Sequence, residues 1–442
     1  MTIIKDDLPQ SVDKVHGSNT LTSYFPIRTG DSKKLQLFDW DAVIGFVIKL
    51  IYRKELLIND VAEFKIICET SFNEKTDNTE IVKYLDEMYF SGNNLFNITP
   101  ELLLFKAKKI KGNAPSVRLG NMFASILQDT FINKETDASY NFLEQIIVNE
   151  FQNNIKKNDS SESLKNTVNE DPYLPFISNV FGSDLIFLSE HPKYFLSTLS
   201  QFLKLYAYLY TAQLALNISS WREGEPSPKP LYFILDTETA SAERIHIRDD
   251  GHQRVHNALF KIFPFLSMSE SLQPAKEKKL PIWKLSSSLS NSDINILSNY
   301  AQAFKDERGL AVTIPDISSA DDALDVLLNL GKEQFARGQS RHEINVNYVK
   351  AIETELCSHF IQSRGRAGRV LVINQDYLLL LTNISIGNRS KLRFHELLEA
   401  FKKRGVFFDK RSQQALIQFY ERIGNVERMS DSGEAVYVCK TI

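Results

Sequence analysis

The chain has 442 residues, enough for two or three domains, each with its own core. Its 43% hydrophobic and 24% charged residues are ordinary for a soluble globular protein, and a net charge of −3 excludes a polycation built to coat nucleic acid. That average conceals a split. Residues 341–442 carry 16 Lys and Arg against 11 Asp and Glu, while the other 340 carry 36 against 44, so a basic module is joined to an acidic body.

In chain order, residues 1–35 read as a polar N-terminal arm, beginning MTIIKDDLPQ without the apolar core of a signal peptide. A helical domain follows over 36–152, with DWDAVIGFVIKLIYRK (39–54), SVRLGNMFASILQDTFI (116–132) and SYNFLEQIIVNEFQNNI (139–155) as its clearest helices. Its best apolar run, AVIGFVI (42–48), stops at Lys49 and is far too short to span a bilayer. NNIKKNDSSESLKNTVNED (153–171) is the linker candidate.

Residues 172–340 form a central, mostly helical domain. EHPKYFLSTLSQFLKLYAYLYTAQLALNI (190–218) is a long helix whose aromatic residues at 194–210 belong in a core or an interface, with the core favoured. GEPSPKP (224–230) ends it and opens onto a short strand, LYFILD (231–236). Two helices follow, SDINILSNYAQAFKDE (292–307) and SSADDALDVLLNLGKEQFARG (318–338), the second with Ser319 and Asp322 at capping-box spacing.

The C-terminal domain, 341–442, is the most legible. INVNYVKAIETELCSHFIQS (344–363) reads as helix, RGRAGR (364–369) as a basic loop and VLVINQDYLLLLTN (370–383) as strand. FHELLEAFKKRG (394–405) reads as a helix with Phe394, Leu397, Leu398 and Phe401 on one face, stopped by Gly405. Asp409 caps the next helix, which places Leu416, Phe419 and Ile423 inward; VERM and EAVYV make a hairpin with Gly433 in its turn. Helix, strand, helix, tight turn, helix, hairpin is the order of a winged helix-turn-helix. The expected fold is therefore mostly α (α+β): a multidomain helical body with a short central strand region and a C-terminal winged helix.

Such a module puts the start of its second helix into the major groove. That end carries Lys410, Arg411, Gln413 and Gln414, with Gln418 one turn on, side chains suited to phosphates and base edges. Lys402, Lys403 and Arg404 close the preceding helix, Arg428 lies in the wing, and Arg364, Arg366 and Arg369 lie in the basic loop. Against DNA contact, Glu421, Glu427, Asp431 and Glu434 interrupt the positive charge, as in winged helices that dock proteins.

Two other patterns carry chemistry. YFILDTETAS (232–241) mimics the first motif of DEDD-type exonucleases, in which Asp236 and Glu238 would share one face of a strand and bind catalytic metal ions. The echo of a second motif, VHNALFKIF (255–263), has Lys261 where an Asp is needed, so a structural strand exit is the stronger reading. In HIRDDGHQRVH (246–256), His252 and His256 are one helical turn apart, with Asp249, Asp250 or His246 as further metal ligands; a solvated polar face is the stronger reading. No P-loop is found, since the GKE at 331–333 lacks its flanking residues, and no cofactor is expected. Cys68, Cys357 and Cys439 have neither zinc spacing nor a disulfide framework, which fits a reducing cytoplasm.

The run GRVLVINQDYLLLLTNISIGNRSKLRFHELLEAFKKRGVFFDKRSQQALIQFYERIGNVERMSDSGEAVYV resembles the C-terminal block of the DptG/DndG family, the G components of DNA phosphorothioation-dependent restriction systems. The likeness covers about the last hundred residues, with overall length and YFILDTETAS in weaker support. It implies a role in bacterial defence, in a restriction complex that damages DNA lacking the sulfur mark. With the residue-level readings above, the chain is expected to be a cytoplasmic, non-catalytic subunit that engages double-stranded DNA and tethers its partners. The NTPase partners it implies are F-type and H-type subunits. No catalytic motif comes with the resemblance. The rivals are a metal-dependent nuclease using Asp236 and Glu238, and a scaffold that binds protein only.

Overall fold

The computed structural model describes residues 21–24, 26, 38–75, 84–107, 114–128, 130–132, 139–157, 170–241, 243–273, 278–429 and 435–442. Helix takes 63% of them and strand 8%, so the fold is mostly α with small sheets. Most of the polar arm, linker residues 158–169 and the hairpin turn with Asp431, Gly433 and Glu434 lie outside the described residues. Two compact units are present. One takes described residues within 38–157 and 181–204; the other takes 21–24, 26, 170–180 and 205–441.

The first unit is built on the helix Trp40–Tyr52, which begins where the Asp39 carboxylate accepts from the Ala42 amide at 3.2 Å. Gly45 faces the backbone of the helix Leu104–Ala107. A Cβ there would stand 2.1 Å from the Ala107 nitrogen, so only glycine permits the approach. Phe64, Phe105 and Phe151 pack ring against ring beside it. The helix Phe142–Asn153 opens with a capping box between Asn141 and Glu144. Strands β1 (Lys54–Leu56) and β2 (Ile155–Lys157) form an antiparallel ribbon, and buried Lys54 pairs with Glu101 at 2.6 Å.

In the second unit, Tyr206, Tyr208 and Tyr210 of the helix Pro192–Asn217 are fully buried, and Tyr208 stacks on Phe360 at 4.6 Å between centroids. This part of the aromatic stripe is core. The Glu170 carboxylate, itself buried, accepts from the amides of Thr22 at 2.7 Å and Ser23 at 3.0 Å. Ser319 caps the helix Ala320–Glu333 as its spacing predicts, but Asp322 returns its bond to the Ser318 amide instead of completing the box on Ser319.

Strand β3 shrinks to Ile234–Leu235. It runs parallel to β5 (Arg369–Ile373), with Ile234 opposite Val372, and β5 in turn pairs antiparallel with β4 (Ile361–Ser363). Ile234, Ile247, Val370 and Val372 form the small core beneath this sheet. The strand expected over 370–383 ends at Ile373. Asn374 then accepts from the Tyr377 amide at 2.9 Å and starts the helix Gln375–Ile386. A run of leucines buried on every side has no period to separate helix from strand, and here the capping side chain decides. The helix expected over 344–363 also divides, into His342–Glu355 and β4.

After Gln375–Ile386 come β6 (Lys391–Arg393), the helices Phe394–Lys402 and Lys410–Arg422, then β7 (Val426–Met429) and β8 (Ala435–Cys439). The three strands form an antiparallel sheet in the order β6-β8-β7, with Val438 central, between Leu392 and Val426. The first of the two helices ends as predicted. Gly405 takes φ +82°, and a Cβ on it would meet the Gln213 side chain at 2.3 Å.

Candidate nucleic-acid interface

The helix Lys410–Arg422 is set by its cap and its apolar side. Asp409 is extended (φ −71°, ψ 171°), and its carboxylate accepts from the Ser412 amide at 2.8 Å. Leu416, Phe419 and Tyr420 are buried, and the Tyr420 hydroxyl meets that of Thr382 at 2.6 Å. Ile423, expected inward, is only half-buried. Lys410, Arg411, Gln414 and Gln418 are exposed, and at these spacings they share the opposite face.

The other basic candidates divide. Lys403 and Arg366 are exposed, and neither forms an ion pair among the described residues. Lys402 pairs with Glu399 at 2.6 Å, Arg428 with Glu421, and Arg369 with Glu353 at 3.2 Å; all three basic side chains remain partly exposed. Gln413 donates to the Phe408 carbonyl at 2.8 Å. Arg404 leaves the set. It is buried, and its guanidinium donates to the carbonyls of Ala400 at 2.7 Å and Ile384 at 3.3 Å, joining two helix ends.

The basic loop and the start of the helix meet at one turn, residues 236–239. Arg364 donates to the Asp236 carbonyl at 2.6 Å, and Arg411 reaches the Thr239 hydroxyl at 3.5 Å. This turn holds the exonuclease-like motif, and it overturns the shared strand face expected for its carboxylates. Asp236 and Glu238 lie past the end of β3, in a turn, not on one face of a strand. The Glu238 carboxylate is already engaged, accepting from the Leu235 amide at 2.8 Å, Arg244 at 2.9 Å and the Ser412 hydroxyl at 3.1 Å. Arg244 also grips Asp409 with two hydrogen bonds, at 2.9 and 2.6 Å.

Glu238, Arg244, Asp409 and Ser412 thus form one largely buried network that fixes the helix start against the turn. Burial works against the charge on Arg244, but Asp409 and Glu238 outweigh it and hold its pKa above the ordinary value. Burial also works against the Asp409 anion. Arg244 and the Ser412 amide outweigh it, and the carboxyl lies below its usual range.

The histidine pattern resolves differently from expectation. His246 pairs with Asp250 at 3.1 Å and Asp249 with Arg248 at 2.6 Å, so these acidic residues do not join His252 and His256. The partner is Glu353, from the helix His342–Glu355. Its Oε1 lies 2.8 Å from His252 Nε2 and 2.8 Å from His256 Nδ1, while its Oε2 holds Arg369. The hydrogen bond from His252 lowers the Glu353 pKa most; burial opposes it, His256 adds to it, and the value falls to about 2. Nothing local in the sequence points to Glu353 or Arg244, which lie 97 and 165 residues from the partners His256 and Asp409.

No protein-family model matches this chain, and no curated protein matches it. No helix among the described residues is long and apolar enough to cross a membrane.

Proposed function

We propose that residues 375–439 are a winged helix-turn-helix whose helix Lys410–Arg422 contacts double-stranded DNA. We further propose that the chain is a non-catalytic DNA-binding and assembly subunit of a bacterial phosphorothioation-dependent restriction complex, cytoplasmic, acting with F-type and H-type NTPase subunits. The observation that carries the DNA reading is the exposed face of Lys410, Arg411, Gln414 and Gln418, on a helix followed by an antiparallel hairpin. The restriction role is supported by the sequence resemblance of the same region.

A face of this composition holds phosphates through its cations and base edges through its amides. The experiment is a fluorescence anisotropy titration of duplex DNA with the full-length chain at two salt concentrations, beside a Lys410→Glu, Arg411→Glu variant. Expected are binding that weakens steeply with salt, a loss of about tenfold or more in the variant, and a salt slope smaller by about 2. Equal binding by both proteins, or none by either, overturns the reading.

A second reading, docking of a partner protein through the same module, is favoured by the pairing of Lys402, Lys391 and Arg428 with Glu399, Glu427 and Glu421. The nuclease alternative is disfavoured. A metal at Glu238 would have to displace Arg244, leaving a buried guanidinium facing a dication.

A further inference from the structure

We propose that His252, His256 and Glu353 bind a divalent transition-metal ion of the zinc class. The site is independent of DNA binding and is made of three side chains from two helices. His252 and His256 stand four residues apart on the helix His252–Leu259, so both imidazoles leave the same face, their rings 5.8 Å apart. Glu353 closes the set from the helix His342–Glu355. One ligand atom from each residue lies within 4.8 Å of the other two.

Two imidazole nitrogens and one carboxylate oxygen are donors that zinc takes, and three protein ligands leave the fourth tetrahedral position for water or an exogenous ligand. Ligand atoms around a tetrahedral ion stand roughly 3.3 Å apart at these bond lengths. The two nitrogen-to-oxygen distances of 2.8 Å would open by about half an ångström, and the separation of the two nitrogens, within 4.8 Å, would close toward the same roughly 3.3 Å through side-chain rotation. On binding, both N–H···O bonds to Oε1 are replaced. Each imidazole presents a lone pair at the bonding nitrogen and carries its proton on the other one.

The surroundings suit a site that fills from solvent. The His252 side chain is 9% exposed and that of Glu353 14%, which gives a fixed wall, while that of His256 is 38% exposed and leaves an entry. Arg369 binds Oε2, the oxygen not turned to the histidines, and so orients the carboxylate as outer partners of metal ligands do. Its side chain is 58% exposed and can move away from the ion's charge.

The test uses the full-length chain, stripped with a chelator and dialysed. Zinc is titrated calorimetrically, and cobalt serves as an optical probe because a tetrahedral nitrogen and oxygen site gives strong visible bands. Expected are one equivalent of zinc per chain, a cobalt spectrum quenched by zinc, and affinity weakened at least about a hundredfold in His256→Ala. Glu353→Gln is the second variant, with circular dichroism checking that each keeps its helices. Zinc should raise the melting midpoint of the wild type and not that of a folded variant. Wild-type zinc binding that is substoichiometric, or retained unchanged in a folded variant, overturns the assignment and leaves the trio an ion-paired cluster.

Discussion

Two regions of this molecule carry functional-looking patterns in the sequence: the segment holding Glu238 and Arg244, and the outer face of the helix Lys410–Arg422. They differ in where their charge is answered. Glu238 and Arg244 satisfy one another and Asp409 inside the protein, at 8%, 6% and 16% side-chain exposure. Lys410, Arg411, Gln414 and Gln418 stand in solvent on the far side of the same helix start. A carboxylate already holding a guanidinium is poorly placed to hold a metal, whereas an exposed cation retains its charge for a partner. The inner network supports the outer face by fixing the helix end from which it projects.

Substitutions can break this contrast, and the largest effect is expected at its centre. Arg244→Ala leaves Glu238 and Asp409 buried without a counter-charge and should cost about 3–5 kcal/mol in urea unfolding of the full chain. Lys410→Ala should stay within about 0.5 kcal/mol of wild type in the same assay. Equal midpoints for the two variants would mean that the inner network is not structural.

Next comes the turn itself. Glu238→Ala removes an acceptor from three donors and should cost about 1–3 kcal/mol. Asp236 contributes only its backbone to the hydrogen bonds described, so Asp236→Ala should stay within about 0.5 kcal/mol. A catalytic pair would reverse that emphasis, with both substitutions abolishing metal-dependent cleavage and neither altering stability.

The smallest effect is one of pH. The folded pKa of Asp409 lies below its ordinary 3.8, so the folded state favours the anion. Its contribution is present above that ordinary value and is lost as pH falls through the folded one. Thermal midpoints of the wild type should therefore fall more steeply below about pH 4 than those of Asp409→Asn, which keeps a capping side chain without the charge. Parallel curves would assign the acid sensitivity to other carboxylates.

Local chemistry made much of the C-terminal region legible. Asp409 and Gly405 show their roles in a single residue each, and the 410–422 periodicity separates an inner from an outer face without any tertiary knowledge. The strand expected over 370–383 holds only to Ile373; beyond it a helix buried all round gives the same leucine run, and the Asn374 cap is a single residue within it. The histidine spacing was visible, but its acidic partner was sought nearby at Asp249 and Asp250, which bond to neighbouring arginines instead. Arg404 sits in a basic KKR run like its neighbours, and only packing turns it inward. Pairings across the chain, such as Arg244 with Asp409, leave no trace in a single sequence.

The parallel pairing of β3 with β5 bears on how the protein can be divided for experiments. A fragment starting near residue 341 would include β5 but lose Ile234 and Leu235 beside it, together with Leu231, whose carbonyl accepts from the Phe407 amide at 3.0 Å. Val372 would then lie on an open, apolar edge, a template for association between copies. It would also lose Arg244, stranding Asp409 at the base of the very helix such a fragment is meant to display. Expression boundaries set before Leu231 keep the edge covered and the helix anchored.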